Sequence, residues 1–200
     1  MKMGNKRNGW MTILLVVPLL LVVGCGEYGK VDQGRVIGYD KEKRVVTLIQ
    51  DIRAEPGNPD YNTLPPHAYT LPTDPHEVGP EPKAGLRMKL DVDKDDIVIF
   101  DTATQTFKTI HFKLVDKKTK VDRKDPLVSG KTFPIVDREK KTITIYSARQ
   151  KILETFTVPD EYIGLPDYTW DAGDEVRIYY KEAGKARRFM NISKTDIFAK

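Results

Sequence analysis

Apolar and polar residues alternate in short runs along most of this chain, the two-residue period of strands that bury one face. Residues 35–39 and 45–49 flank the charged stretch Asp40-Lys41-Glu42-Lys43-Arg44 and predict a first hairpin. Residues 67–71, 86–90 and 97–100 predict three more strands, the last two separated by an acidic turn beginning at Asp91. Over 107–115 the alternation puts Ile110, Phe112 and Leu114 on one side and His111 and Lys113 on the other. Residues 133–136 and 142–146 form another hairpin with Ile143 and Ile145 inward, and 152–158 continues its sheet. Residues 175–180 and 186–192 close the pattern around Glu182-Ala183-Gly184-Lys185. Pro72, Pro75, Pro80 and Pro82 exclude a long helix between them, since each removes a donor and clashes with the preceding turn. Only 159–164 reads as a helical turn, so the fold class is all-β.

The pattern also repeats. Residues 40–48 set over 137–145 match in their charged, apolar and Thr positions, and Tyr69-Thr70-Leu71-Pro72 matches Phe156-Thr157-Val158-Pro159. A competing register makes Asp91 with Ile97-Val98-Ile99 a third copy. Three hairpins are too few for a closed propeller. The expectation is therefore two small tandem barrels over 35–115 and 132–200, resembling Greek-key units of the OB or SH3-like kind. Residues 116–131, highly charged and without apolar periodicity, read as the linker between them, and 51–66, rich in Pro, Asn and Asp, as a loop.

The N-terminus follows a different pattern. Lys2, Lys6 and Arg7 precede the apolar run 11–23, which is too short to cross a bilayer core comfortably and has the form of a signal peptide. Val22-Val23-Gly24-Cys25 resembles the lipobox of bacterial lipoproteins. That resemblance implies cleavage between Gly24 and Cys25, acylation of Cys25 and anchoring to a membrane through lipid. Residues 1–24 are then the signal peptide and 25–34 a short tether. Gly26, where Asp would signal retention, implies the outer membrane with the body facing the periplasm.

Charge then narrows the partners. The chain holds 33 Lys+Arg and 29 Asp+Glu, and loss of the three bases in 1–24 leaves 30 against 29. Without a basic excess, nucleic acid is not an expected partner. With the one Cys lipidated, no disulfide, Cys metal site or thiol nucleophile is expected.

No linear motif carries catalysis. His67, His76 and His111 match no compact metal spacing and read as surface groups. Asp91, Asp93 and Asp95 copy the start of a calcium-binding loop, but Asp96 stands where Gly is needed and Thr102 where Glu is needed, so they read as a solvated turn. No metal or cofactor is expected. Tyr162, Tyr168, Trp170, Tyr179, Tyr180 and Phe189 concentrate aromatic area in the C-terminal half, first as core. Trp170, in a loop before Gly173, is the aromatic most expected to be exposed. Tyr168, Trp170, Arg187 and Arg188 form the candidate ligand surface.

Residues 27–36, 80–90 and 171–198 resemble a family of uncharacterised bacterial lipoproteins associated with sulfate-reducing bacteria. The likeness spans essentially the whole mature chain and brings no known activity or catalytic residue with it. The functional expectation is a non-catalytic, membrane-anchored β module that binds or scaffolds another component of the cell envelope, an envelope protein or a glycan. One alternative is a periplasmic domain for a glycan or small ligand. Another is an envelope hydrolase whose carboxylates meet only in three dimensions.

Overall fold

In the computed structural model, residues 28–55 and 59–195 are described, so the signal peptide, Gly24 and Cys25 lie outside the described residues. Twelve strands are present among them: β1 (Lys30–Asp40), β2 (Val45–Gln50), β3 (His67–Thr70), β4 (Arg87–Asp91), β5 (Asp96–Asp101), β6 (Thr106–His111), β7 (Lys113–Thr119), β8 (Ile135–Asp137), β9 (Thr142–Ser147), β10 (Ile152–Thr157), β11 (Glu175–Glu182) and β12 (Lys185–Asn191). The helical turn α1 (Asp160–Ile163) falls where the sequence predicts it. The all-β class is correct, and no helix among the described residues is long and apolar enough to cross a membrane.

A single closed barrel takes the place of the expected pair. Its strands run in the order β1-β11-β12-β3-β2, all antiparallel except for the parallel contact of Lys185 with Thr70. This is the order of an OB-type Greek-key barrel. Strands from both predicted halves build it, and β4 to β10 form an insertion between its third and fourth strands. The predicted linker 116–131 begins inside β7, an edge strand of the sheet β7-β10-β9-β8. Its charges read as a linker because an edge strand exposes most of its side chains to water. The predicted tether likewise ends early, since β1 starts at Lys30. Gly34 is inside that strand, where a Cβ would lie 2.2 Å from the Ile49 carbonyl oxygen.

The repeat is threefold. Each copy is a three-stranded meander, β1-β2-β3, β4-β5-β6 or β8-β9-β10. Leu90, Ile97, Ile99, Ile110 and Phe112 of the second correspond to Val136, Ile143, Ile145, Phe156 and Val158 of the third, each 46 positions later. These two sets face each other and, with Trp170, form one core. Tyr39, Val46, Leu48, Tyr69 and Leu71 occupy the same places in the first meander and fill the barrel. The first meander has ten more residues between its second and third strands, because Leu48 to Tyr69 spans 21 positions and Ile99 to Ile110 spans 11.

Five hairpins share one turn geometry. Asp40 pairs with Val45, Asp91 with Asp96, Asp101 with Thr106, Asp137 with Thr142 and Ser147 with Ile152, each enclosing four residues. The fourth enclosed residue is left-handed every time: Arg44, Asp95, Gln105, Lys141 and Lys151 all have φ of 54°. The leading side chain caps the turn in several copies, with Asp40 Oδ1 accepting from Lys43 N and Asp137 Oδ1 from Lys140 N, both at 2.9 Å. A short polar side chain that binds nearby backbone N–H groups favours such turns.

The three-stranded sheet is the middle layer of the molecule. Ile97 and Ile99 of β5 point into the core shared with the third meander, while Phe100 joins Ile37, Ile49 and Met88 on the opposite face, against the barrel wall. Both faces of β4 and β5 are therefore covered. This sandwiching brings the start of β4 against β1.

Candidate functional site

A short zipper of main-chain hydrogen bonds fixes that junction. Val36 N donates to Asp174 O at 2.9 Å, Gly85 N to Val36 O at 3.0 Å, Leu86 N to Tyr168 O at 3.1 Å and Arg87 N to Asp171 O at 2.8 Å. The strands approach too closely here for a side chain, and a Cβ on Gly85 would lie 2.3 Å from Gly173 N. Gly173 itself has φ of +64°, a conformation other residues adopt with strain. Two arginines, one at each side of this junction, are consequently held together.

Arg35 on β1 and Arg87 on β4 are only 8% and 7% exposed. Arg35 Nη1 donates to the carbonyl oxygens of Arg87 and Met88 at 3.0 and 2.9 Å, and its guanidinium lies 4.3 Å from the centre of the Tyr61 ring. Arg87 Nε donates to Trp170 O at 2.9 Å. Neither guanidinium has a carboxylate within ion-pair distance among the described residues. Arg35 Nε and Tyr61 Oη are both buried without a hydrogen-bond partner among the described residues. Asp171, whose charge favours protonated Arg87, is already bound by Lys83. Burial, reinforced by the neighbouring Arg35 charge, pulls Arg87 down to about 10, and burial also lowers Arg35. At neutral pH both remain cations, as the guanidinium group of arginine does in proteins.

Both arginines line a cleft of about 700 Å³ between the barrel and the paired meanders. Arg149 reaches it from the β9–β10 turn, Arg123 from the segment after β7 and Lys194 from the end of β12. Glu175 is the one carboxylate in the lining, and its Oε1 accepts from Gln33 Nε2 at 2.5 Å. Arg123 and Arg149 enter no ion pair among the described residues. Buried charges in folded proteins are ordinarily paired, and a wall of cations in a low-dielectric recess concentrates positive potential. The cleft's size falls in the usual range for small-molecule sites. Its chemistry suits an anion held bidentately by planar guanidinium groups.

A second polar cluster sits inside the barrel. Asp32 accepts from His67 Nδ1 at 2.6 Å and Tyr69 Oη at 2.5 Å through one oxygen, and from Gln50 Nε2 at 3.2 Å and Tyr180 Oη at 3.3 Å through the other. Burial, followed by the Asp32 bond, raises the pKa of the Tyr69 hydroxyl. Each carboxylate oxygen is already engaged twice. The arrangement adds a satisfied polar cluster to the barrel, and His67 opens strand β3, as the predicted run 67–71 implies.

The ligand surface expected from sequence does not come together. Trp170 is completely buried in the core between the meanders, which corrects its expected exposure. The loop before Gly173 folds back under β4 and β5, so the indole is enclosed while its carbonyl positions Arg87. Tyr168 is 44% exposed and lines a separate groove with Tyr162 and Leu165. Arg187 is exposed on β12, and Arg188 is tied through Nε to Glu77 Oε2 at 2.6 Å. The acidic stretch after β4 is a hairpin turn, with Asp91 bound to Lys89 and Asp96 to His111. Arg35 and Arg87 escaped sequence reading because each lies within a β-prone apolar run. Their one signal was a lone cation inside such a run, Gly34-Arg35-Val36-Ile37 and Leu86-Arg87-Met88.

A family profile described as a domain of unknown function (DUF4881) matches residues 27–200. No curated protein and no solved structure matches the chain.

Proposed function

Because the chain belongs to the DUF4881 family, which brings no known activity with it, we propose from its own residues that it is a non-catalytic binding module for an anionic ligand. The observation that carries this reading is the pair of buried guanidiniums, Arg35 and Arg87, side by side at the base of a cleft in which, among the described residues, neither makes an ion pair and Glu175 is the one lining carboxylate. An anion entering the cleft supplies the missing counter-charge. The exposed Arg123 and Arg149 attract it first and the buried pair then holds it. The reading is of capture rather than turnover, because what the cleft offers is guanidinium charge suited to hold an anion.

The module is tethered to the bacterial envelope through lipid on Cys25, at the outer membrane and facing the periplasm. Support comes from the sequence Val22-Val23-Gly24-Cys25 and from the start of β1 five residues after Cys25. Such a span reaches at most about 18 Å when fully extended, so the barrel stays close to the lipid surface. Several acyl chains make that attachment firm, since each buried methylene contributes about 0.8 kcal/mol. The ligand is thus taken from the periplasm beside the membrane.

Titration calorimetry of the full chain in detergent with inorganic phosphate tests the binding half. The expected result is saturable binding that Arg87→Gln abolishes while the β-sheet circular dichroism is kept. Equal heats for wild type and Arg87→Gln contradict it. Metabolic labelling with a palmitate analogue tests the anchor, and label on the Cys25→Ser variant would overturn it.

A further inference from the structure

We infer that the bound anion is carried on a hydroxyl-rich, sugar-like body, making the ligand a phosphorylated or carboxylated saccharide. This rests on the proposed anion site and names what occupies the space next to it. A second cavity of about 530 Å³ adjoins the arginine cleft, and Met88, Leu90, Arg149 and Gln150 line both. The partition is thin. Gln150 Nε2 donates to Leu90 O at 3.4 Å, and Arg149 beside it makes no ion pair among the described residues.

The two compartments differ in charge. In the first, Arg35, Arg87, Arg123 and Arg149 face one carboxylate, already engaged by Gln33. In the second, the cations are paired in place except for Arg149 on the shared border: Arg53 Nε lies 3.5 Å from Asp60 Oδ2, and Lys89 Nζ lies 3.1 Å from Asp91 Oδ2. An anion therefore belongs in the first compartment, and a neutral body in the second. That body must be polar. Tyr61 lines the second compartment, is 5% exposed, and has a hydroxyl without a partner. Asn62 presents an amide beside it, held by Asp60 Oδ1 at 2.6 Å. Hydroxyls of a sugar both donate and accept, as these groups require. Met88 supplies the apolar side that a sugar ring's C–H face covers, and an acyl chain would leave Tyr61 Oη unsatisfied.

The two compartments also have a common origin. Asp60, Tyr61 and Asn62 belong to the longer loop between β2 and β3, the segment that gives the first meander its ten additional residues. Arg35, stacked on Tyr61, is shared by the cation cluster and this loop. The loop thus brings its polar groups to the cleft's open side.

The test is calorimetry of the full chain in detergent with glucose 6-phosphate, glucuronate, galacturonate and N-acetylmuramate, against inorganic phosphate, acetate and glucose. At least one acidic sugar is expected to bind tenfold or more tighter than the bare anions and than glucose. Tyr61→Phe and Asn62→Ala should each remove that advantage, Asn62→Ala leaving phosphate binding unchanged, while Arg87→Gln and the exposed Arg149→Gln weaken both. If every acidic sugar binds no tighter than the bare anions, the saccharide inference is overturned and anion capture stands. If neither phosphate nor acetate nor any acidic sugar binds, anion capture itself fails.

Discussion

Arg35 holds Arg87 by the main chain rather than by charge: its Nη1 donates to the Arg87 carbonyl oxygen at 3.0 Å, so two like-charged side chains are fixed beside one another. Main-chain bonding from Val36 to Asp174 and from Arg87 to Asp171 locks the arrangement. Repulsion between the guanidiniums is thereby borne by the fold. A site of this kind is organised before its ligand arrives, which reduces the ordering cost of binding.

That cost should be visible in stability. The fall of Arg87 from 12.5 to about 10 corresponds to about 3 kcal/mol of disfavour toward its charged form. Arg87→Met keeps the apolar stem, removes the charge and loses one hydrogen bond to Trp170 O, worth about 1 kcal/mol. In anion-free buffer, urea unfolding is expected to find the variant more stable by about 1–2 kcal/mol. A loss of stability would mean that the charge is already compensated.

The meander repeat predicts matched core energetics. Ile97 and Ile143 are fully buried, 46 positions apart, and cross-paired with Ile110 and Phe156. Ile97→Ala and Ile143→Ala should each cost about 3 kcal/mol in urea unfolding and agree within about 1 kcal/mol. Widely different costs would show that the two meanders do not share the core equally.

Most strands and their inward faces were legible in the sequence because alternation is a local signal, as at Ile143 and Ile145. The run 107–115 instead divides at Phe112 into β6 and β7, and Leu114 is exposed rather than inward with Ile110 and Phe112. Even the hairpin turns were visible, through Asp40, Asp91 and Asp137. Which strands pair across the barrel was not. The partner of Val31 is Tyr179, and no feature of either run selects it over another apolar strand. The charged stretch over β7 resembled a linker because an edge strand and a linker are equally wet. Trp170 was misplaced because its neighbours Asp171, Ala172 and Gly173 suggest an open loop, while the carbonyls of Tyr168 and Asp171 in fact bind β4 and its approach. Arg35 and Arg87 were hidden because burial on both sides of a strand leaves no polar stripe to mark them.

Asp95 tests the common turn. It sits at φ of 54° with Asp91 and Asp96 closing the hairpin around it. Asp95→Gly is expected to leave stability nearly unchanged, whereas the β-branched Asp95→Val costs about 1–2 kcal/mol by forcing a bulky residue into the left-handed region. Thermal melts of the two variants compared with wild type decide this, and equal melting temperatures for Gly and Val would count against the turn geometry.

Acid sensitivity should trace in part to Asp101. Lys108 Nζ at 2.5 Å, aided by the backbone N–H of Ala103, holds the Asp101 carboxyl down to about 2, below its ordinary 3.8. The unfolded chain binds the extra proton in that interval, so the stabilisation is present above about pH 4 and lost as pH falls toward 2. Asp101→Asn is expected to flatten this part of the stability profile measured by denaturant titration. An unchanged slope would show that Lys108 does not hold the carboxylate in solution.

The most direct measurement is the melting temperature of wild type and Arg87→Gln in sodium phosphate and in sodium chloride at equal ionic strength. A ligand at a hundred times its dissociation constant stabilises the folded state by about 2.7 kcal/mol, so phosphate should raise the wild-type melting temperature by several degrees. Arg87→Gln should melt at the same temperature in both salts. A phosphate-dependent rise that survives in Arg87→Gln, or its absence in wild type, contradicts an anion site built on Arg35 and Arg87.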